Sequence, residues 1–296
     1  MKKALLVVNP SAGGEKAQEF QKAAVEKLES YFDEVEVKET KKGGDARDFA
    51  RAAAQDKLDS VFVMGGDGTV NEGISGLAEQ DYRPKFGFFP LGTVNDLARA
   101  LNLPINPKEA IEALDFEQTK SLDIGKINDC YFMNVVAVGS IPEAVRDVSV
   151  EEKTKFGKMA YLISGLKKIA QNETYNFELD VDGDHISVES TTLLIGLTNS
   201  IGGHENFLPD AKVDDGLLHL VYLKDTNMLK SFQAIPNLAQ GVTESNQNLG
   251  YRTFNKAHIA LKNSQSLGTN VDGDEGEELP IDITILPSHL TVYSGK

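Results

Sequence analysis

The 296 residues are 41% apolar and 25% charged, which allows a sizeable core and one large or two ordinary domains. The formal net charge of -15 argues against a nucleic-acid binder, which needs a basic face for phosphates, and against broad electrostatic adhesion to anionic membrane, while leaving room for a local basic patch. Cys130 is the only cysteine, so an internal disulfide and a cysteine metal cluster are excluded, as expected in a reducing compartment.

The apolar run after Met1 is too short for a signal peptide, and no apolar stretch reaches the ~18 residues of a membrane span. The expectation is a cytoplasmic protein that touches a membrane without crossing it.

The first third alternates strand and helix. Ala4 to Val8 reads as a buried strand ending in Asn9-Pro10-Ser11-Ala12-Gly13-Gly14. A helix follows from about Glu15 to Tyr31, with Phe20, Ala24, Leu28 and Tyr31 on one face. Val35 and Val37 mark a short strand. Gly43-Gly44-Asp45 opens a helix to Ala54, with Asp45 as its expected N-cap. Val61 to Met64 is the next strand, followed by the turn Gly65-Gly66-Asp67-Gly68-Thr69-Val70-Asn71-Glu72 and a helix from Gly73. Lys85 to Phe89 is a strand closed by Pro90-Leu91-Gly92-Thr93. Val94 to Leu101 restarts a helix that Pro104 stops, and another helix runs from about Pro107 to Leu114. This alternation predicts a parallel sheet with helices on both faces, whose ligands collect at the strand C-termini.

From about Ser121 the texture changes to short alternating runs: 121–128, 131–138, 175–181, 185–189, 192–198 and 217–223. Asp182-Gly183 reads as a hairpin turn. Two helices interrupt this antiparallel half, at about 154–170 and 227–238. A domain boundary is placed near 121–128, with no low-complexity linker and no internal repeat.

The chemistry concentrates in the glycine turn. Three glycines in four positions bare backbone N–H groups, and the following helix adds its own, which together make a phosphate seat. Asp67 inside that seat implies a cation or a base. The turn is neither a Walker A loop nor the Rossmann fingerprint, since no Gly-Lys-Ser/Thr follows and the third glycine is Asn71. In the Gly92 loop, Thr93 stands where it can cap its helix. Asp96 stands in the first turn, where it suits the helix dipole or a metal shared with Asp67. Leu208 to Leu217, with Asp210, Asp214 and Asp215, reads as a hydrated loop or as a cation site of one carboxylate and backbone carbonyls, spacing alone favouring the loop. Val271 to Glu278 reads as a solvated acidic hairpin turn in preference to a catalytic one. Neither has EF-hand spacing, the five histidines show no metal-ligand spacing, and no G-x-S-x-G elbow occurs. The segment 153–168 is basic and has apolar residues at helical spacing. It suits packing on its own domain as well as lying on an anionic membrane.

The Asn9 to Gly14, Gly65 to Glu72 and Pro90 to Asp96 motifs, in this order and spacing, resemble the catalytic-domain motifs of the diacylglycerol kinase family. The likeness continues through Ser121-Leu122-Asp123-Ile124-Gly125, Leu197-Thr198-Asn199-Ser200, Pro209 to Gly216 and Val271-Asp272-Gly273, and so covers nearly the whole chain. Gly-Gly-Asp-Gly-Thr alone is shared with NAD kinases. Asn71-Glu72 and the Asp214-Asp215-Gly216 loop favour the lipid kinases.

The resemblance implies an α/β nucleotide-binding domain over 1–125, like that of NAD kinases and phosphofructokinases, to which the tail at about 284–296 can return. It implies a mostly antiparallel β-sandwich domain over 126–283, with the active site in the cleft between the two. It implies an ATP-dependent kinase that phosphorylates diacylglycerol or a similar lipid at the membrane surface. ATP would bind along Asn9, Pro10, Ser11, Ala12, Gly13, Thr40, Gly66 to Glu72 and Thr93, with Asp67 and Asp96 in a water-mediated Mg²⁺ network. A second, structural Mg²⁺ would take the Asp215 side chain and the carbonyls of Lys212 and Leu217. The sequence departs from the soluble bacterial members at the expected base, a glutamate after Val-Asp-Gly. Asp274 stands there, with Glu275 beside it, and either can serve. A kinase of a soluble substrate and a nucleotide-binding regulator remain as alternatives, and a homodimer is compatible with the sequence.

Overall fold

The computed structural model describes residues 1–15, 17–139, 174–224, 241–263 and 266–295. The helices expected over 154–170 and 227–238, and the basic segment 153–168, lie outside the described residues. The chain divides into two compact units, one of Met1–Ile124 with Leu286–Lys296, the other Gly125–Ile285.

Unit 1 is built on parallel strands in the order β2-β1-β3-β4-β16. They are β1 (Lys3–Val8), β2 (Glu34–Glu39), β3 (Ser60–Gly65), β4 (Lys85–Pro90) and the end of β16 (Ile281–Gly295). Five of the six residues of β1 and all six of β3 are buried, as continuous apolar strands covered on both faces must be. The crossovers are α1 (Ala12–Glu15) with α2 (Ala17–Glu29), α3 (Asp45–Gln55) and α4 (Asp67–Leu77), followed by α5 (Asp96–Ala100) and α6 (Pro107–Ala113). On α2, Ala24 and Leu28 are buried and Phe20 packs on the core from its margin, as does Tyr31 in the turn beyond the helix end. A Cβ at Gly76 of α4 would lie 2.2 Å from the Arg47 carbonyl oxygen, so only glycine lets α3 and α4 approach this closely. Val292 of β16 pairs with Phe86 of β4, and Tyr293 stacks on Phe62 in the core.

Unit 2 holds two antiparallel sheets. One runs β16-β13-β8-β9, from the start of β16, β13 (Lys256–Leu261), β8 (Tyr175–Val181) and β9 (Asp184–Ser190). The other runs β12-β11-β10-β7-β14-β15, from β12 (Leu249–Phe254), β11 (Leu218–Leu223), β10 (Thr192–Gly196), β7 (Val135–Gly139), β14 (Gly268–Val271) and β15 (Asp274–Glu278). Phe177, Leu179, Ile259 and Ile283 of the first share one buried cluster with Val136, Val138, Ile195 and Leu220 of the second, which makes a sandwich. The hairpin β6 (Cys130–Phe132) follows β5 (Leu114–Ile127), with which it pairs.

The two Asp-Gly hairpins have positive φ at both turn residues, 54° and 91° at Asp182-Gly183 and 51° and 99° at Asp272-Gly273. Their dipeptides are those that a type I′ turn demands. Each aspartate also ties its hairpin to a third strand. Asp182 accepts the N–H groups of Asn255 and Lys256, and Asp272 those of Met133, Asn134 and Val135. Among the described residues no helix is long and apolar enough to cross a membrane.

Candidate functional site

In unit 1, Val8 pairs with Met64 and Gly65 with Pro90, so the loops after β1, β3 and β4 leave the same edge of the sheet. Asn9 ties two of them together. Its N–H donates to the Met64 carbonyl at 2.9 Å, its Oδ1 accepts from Ser11 N–H (3.1 Å) and Oγ–H (2.8 Å), and its Nδ2 donates to Thr69 Oγ1 at 2.9 Å. Gly13 has φ +63°, and a Cβ there would sit 3.3 Å from the Leu91 carbonyl oxygen. A Cβ on Gly92 would lie 3.0 Å from Gly66 Cα and 2.6 Å from Asn95 Oδ1, so the second and third loops meet glycine to glycine. Gly68 differs, since a Cβ there would meet nothing within 4 Å.

Two cavities open over these loops. One, of about 500 Å³, is lined by Ser11, Ala12, Gly13, Gly66, Gly68 and Thr93, among others. The second, of about 530 Å³, is lined by Pro10, Thr40, Lys41, Lys42, Gly43 and Glu72. Asn9, Ser11 and Thr69 line both, so the Asn9–Thr69 bond forms the saddle between them. The bared N–H groups of a glycine loop and the positive start of a helix face this space, which suits a phosphate chain.

Helix α4 begins at Asp67, with Gly66 as its N-cap in extended conformation. Gly68 to Glu72 are therefore the first turns of a helix and not a turn before one. Val70 and Asn71, expected along the nucleotide, lie on this helix. Val70 is buried, and its N–H donates to the Gly66 carbonyl at 3.0 Å. Asn71 is half-buried on the same helix and lines neither cavity. The lysines at 41 and 42 were not anticipated as cleft residues. Their signal was two adjacent cations in an acidic chain just before Gly43-Gly44.

Asp67 does not project into either cavity. Its Oδ2 accepts Asn95 N–H at 2.8 Å and its Oδ1 accepts Asp96 N–H at 3.0 Å, so it caps α5 from another helix. Thr93 is thus not the cap. Asn95 stands at that position with φ 55°, and its own amide bonds Gly92 N–H and carbonyl, both at 2.9 Å. Asp45 likewise does not cap α3, because Gly44 holds the N-cap position. The Asp45 carboxylate instead turns back to the N–H groups of Lys41 (2.7 Å) and Lys42 (3.1 Å), and the Lys41 hydrogen bond holds it below the ordinary carboxylate range. Glu72 covers the open helix end: Oε1 accepts Gly44 N–H at 2.8 Å and Oε2 accepts Ala46 N–H at 3.2 Å.

Asp67 and the buried Asp96 meet at one hydrogen bond and bring only oxygen donors, the chemistry Mg²⁺ prefers when phosphates and water complete its shell. Among the described residues no group of three or more His, Cys, Asp or Glu gathers to hold a metal by itself.

In unit 2, Asp215 closes its own loop. Its Oδ2 accepts Lys212 N–H at 2.8 Å and its Oδ1 accepts Leu217 N–H at 2.9 Å. His219, 1% exposed, lies between Asp215 (3.3 Å) and the Tyr251 hydroxyl (2.6 Å). Burial pushes the Asp215 carboxyl up, but the bonds from His219, Lys212 and Leu217 outweigh it and hold the group low. Burial pushes the Tyr251 phenol up to about 12. Asp272 carries three backbone N–H groups at 2.7–2.9 Å and so anchors the turn that presents Asp274 and Glu275. Both are exposed, but Asp274 pairs with Val271 and Glu275 with Asn270, which places them on opposite faces of the ribbon.

Two family models together match most of the chain. The diacylglycerol kinase catalytic domain model matches residues 3–127, and a YegS C-terminal NAD kinase β-sandwich-like domain model matches 134–294. The chain is 33% identical to a diacylglycerol kinase of Staphylococcus carnosus, over 100% of this chain and 96% of that one. It is 32% identical to one of Bacillus subtilis, over 100% and 97%. A crystal structure of a diacylglycerol kinase from Bacillus anthracis superposes with a TM-score of 0.80 at 27% identity, covering 99% of this chain and 97% of that chain. Full-length identity at this level, together with both domain models, shows that the chain belongs to the diacylglycerol kinase family.

Proposed function

We propose that this chain is an ATP-dependent lipid kinase that transfers the γ-phosphoryl group to the hydroxyl of diacylglycerol or a similar lipid, giving phosphatidic acid from diacylglycerol. The observation that carries the reading is the convergence of the Asn9, Gly66 and Gly92 loops over two adjoining cavities, with Asp67, hydrogen-bonded to the Asp96 N–H, behind the Gly92 loop. Gly13, Gly66 and Gly68 give the triphosphate access to backbone N–H groups, and Ser11, Thr40, Thr69 and Thr93 add hydroxyls. Lys41 and Lys42 supply positive charge on the same wall.

Asp67 and Asp96 are the residues that would hold Mg²⁺, which would supply charge neutralisation to the phosphates when bound. At the Asp215 loop, the Asp215 carboxylate and the carbonyls of Lys212 and Leu217 would hold a second, structural cation. Among the described residues, Asp215 Oδ1 takes one donor and Oδ2 two, which leaves a lone pair for it. The lipid hydroxyl attacks the γ-phosphorus in line, the bond to the bridging oxygen of ADP breaks, and the hydroxyl proton passes to Asp274 or Glu275. Positioning and charge stabilisation supply most of the rate. The lipid is met at the cytoplasmic surface of a membrane, by peripheral contact.

The test is a radiolabelled-ATP assay with diacylglycerol in mixed micelles, on wild type and Asp67→Ala. Label in an organic-extractable product with wild type only supports the reading. Label on NAD instead, or ATP binding without turnover, overturns it.

A further inference from the structure

The β2–α3 loop, residues 40–44, forms one wall of the second cavity through Thr40, Lys41, Lys42 and Gly43. A loop with two consecutive glycines has little conformational preference of its own, and Gly44 sits at φ +88°. Its position is set by two carboxylates. Asp45, the first residue of α3, gathers the N–H groups of Lys41 and Lys42. Glu72, from α4, gathers those of Gly44 and Ala46. The Thr40 N–H is held by the Val8 carbonyl at 2.9 Å. Asp45 acts locally, whereas Glu72 is 28 residues from Gly44 and stands on the helix whose first residues carry the glycine seat. Glu72 is therefore the part of the brace that fixes the wall against the seat.

Both Glu72 oxygens are engaged with protein N–H groups, one at 2.8 Å and one at 3.2 Å. A bare carboxylate here would otherwise repel a phosphate chain in the same cavity. Turned to the start of α3, its charge is met by the helix dipole.

We propose that Glu72 is a positioning residue: it acts on the nucleotide through the β2–α3 loop, by holding Thr40 to Gly43 in place, and contacts neither the nucleotide nor its cation. This rests on the reading of the cleft as the ATP site. The loop itself can be examined without that reading, because the Gly44 and Ala46 amides report the brace whatever the cleft binds.

The experiment compares Glu72→Ala and Glu72→Gln with wild type by amide hydrogen exchange and by steady-state kinetics with MgATP and lipid varied separately. In Glu72→Ala the Gly44 and Ala46 amides exchange faster, and the KM for MgATP rises about tenfold, the scale of a lost hydrogen bond to a charged group. The kcat, the lipid KM and the Mg²⁺ concentration needed at saturating ATP stay within about twofold, inside the measuring error of such constants. Glu72→Gln keeps one acceptor oxygen and falls between, which covers the case in which the alanine variant folds poorly. Unchanged exchange at Gly44 and Ala46 sinks the proposal. So does a shifted Mg²⁺ requirement, which makes Glu72 a cation ligand. Faster exchange with an unchanged MgATP KM refutes the link from brace to nucleotide. Absence of kinase turnover in wild type refutes the ATP reading while leaving the brace readable by exchange.

Discussion

Asn9 Nδ2 and Thr69 Oγ1, 60 positions apart, are joined by a 2.9 Å hydrogen bond that links the loop after β1 to the first turn of α4. The bond stands where the two cavities of unit 1 meet, and both residues line both cavities. The cleft is thus made by two loops that hold each other, with Gly66 and Gly92 bringing in the third.

Gly68 faces open space inside this cleft. Gly68→Ala is expected to leave the fold intact, or to stabilise it by up to about 1 kcal/mol, since alanine is the better helix former. The added methyl occupies the seat itself, so MgATP affinity is expected to fall tenfold or more, about 1.4 kcal/mol. Thermal unfolding and nucleotide titration on one sample decide this. Unchanged affinity would remove the phosphate from this lobe.

Asp274 and Glu275 point to opposite faces of the β14–β15 ribbon. They cannot share a proton acceptor's position. One of the variants Asp274→Ala and Glu275→Ala is expected to lose about 10²-fold or more in kcat, the scale of general-base catalysis, and the other to keep most of it. If both single variants remain fully active, the base lies elsewhere.

Asp272 and Asp182 tie their hairpins in the same way, yet only Asp272 carries a turn with candidate catalytic carboxylates. Alanine at either position strands backbone N–H groups that had a charged acceptor, at a cost of about 2 kcal/mol, seen as a shifted urea midpoint. Kinase activity at a temperature where both variants are folded should fall for Asp272→Ala and persist for Asp182→Ala. Equal activity loss in the two would show that general loosening, and not placement of the 274–275 pair, is responsible.

Burial pushes the Tyr293 phenol up from 10.0 to about 12, against the opposing bond to Ser60 Oγ at 2.8 Å. The folded state therefore favours the neutral form. Its stabilising effect is complete below pH 10 and is lost as pH rises from 10 towards 12. Tyr293→Phe should be somewhat less stable at neutral pH, because Ser60 loses its partner. Its unfolding midpoint should then fall less steeply than that of wild type above pH 10. Parallel curves would show that other groups govern alkaline unfolding.

Much of the architecture was legible in the chain, because it is written in short-range patterns. Continuous apolar runs such as Val61 to Met64 can only be strands covered on both faces, and Asp182-Gly183 and Asp272-Gly273 name their turn type. The three strand-end loops and the resemblance they carry follow from residue order alone. What the chain could not show is where each carboxylate goes. Asp45 stands at a helix start, where a local cap is the natural expectation, and Asp67 and Glu72 stand in a glycine turn whose pattern names phosphate and not a cap. Instead Asp67 caps α5, Glu72 caps α3, and Asp45 folds back on Lys41 and Lys42. An unpaired helix-end N–H accepts whichever oxygen the packing brings within about 3 Å, whatever its place in the sequence. The seat of glycines was thus decided locally, and the brace around it only when α3, α4 and α5 packed together.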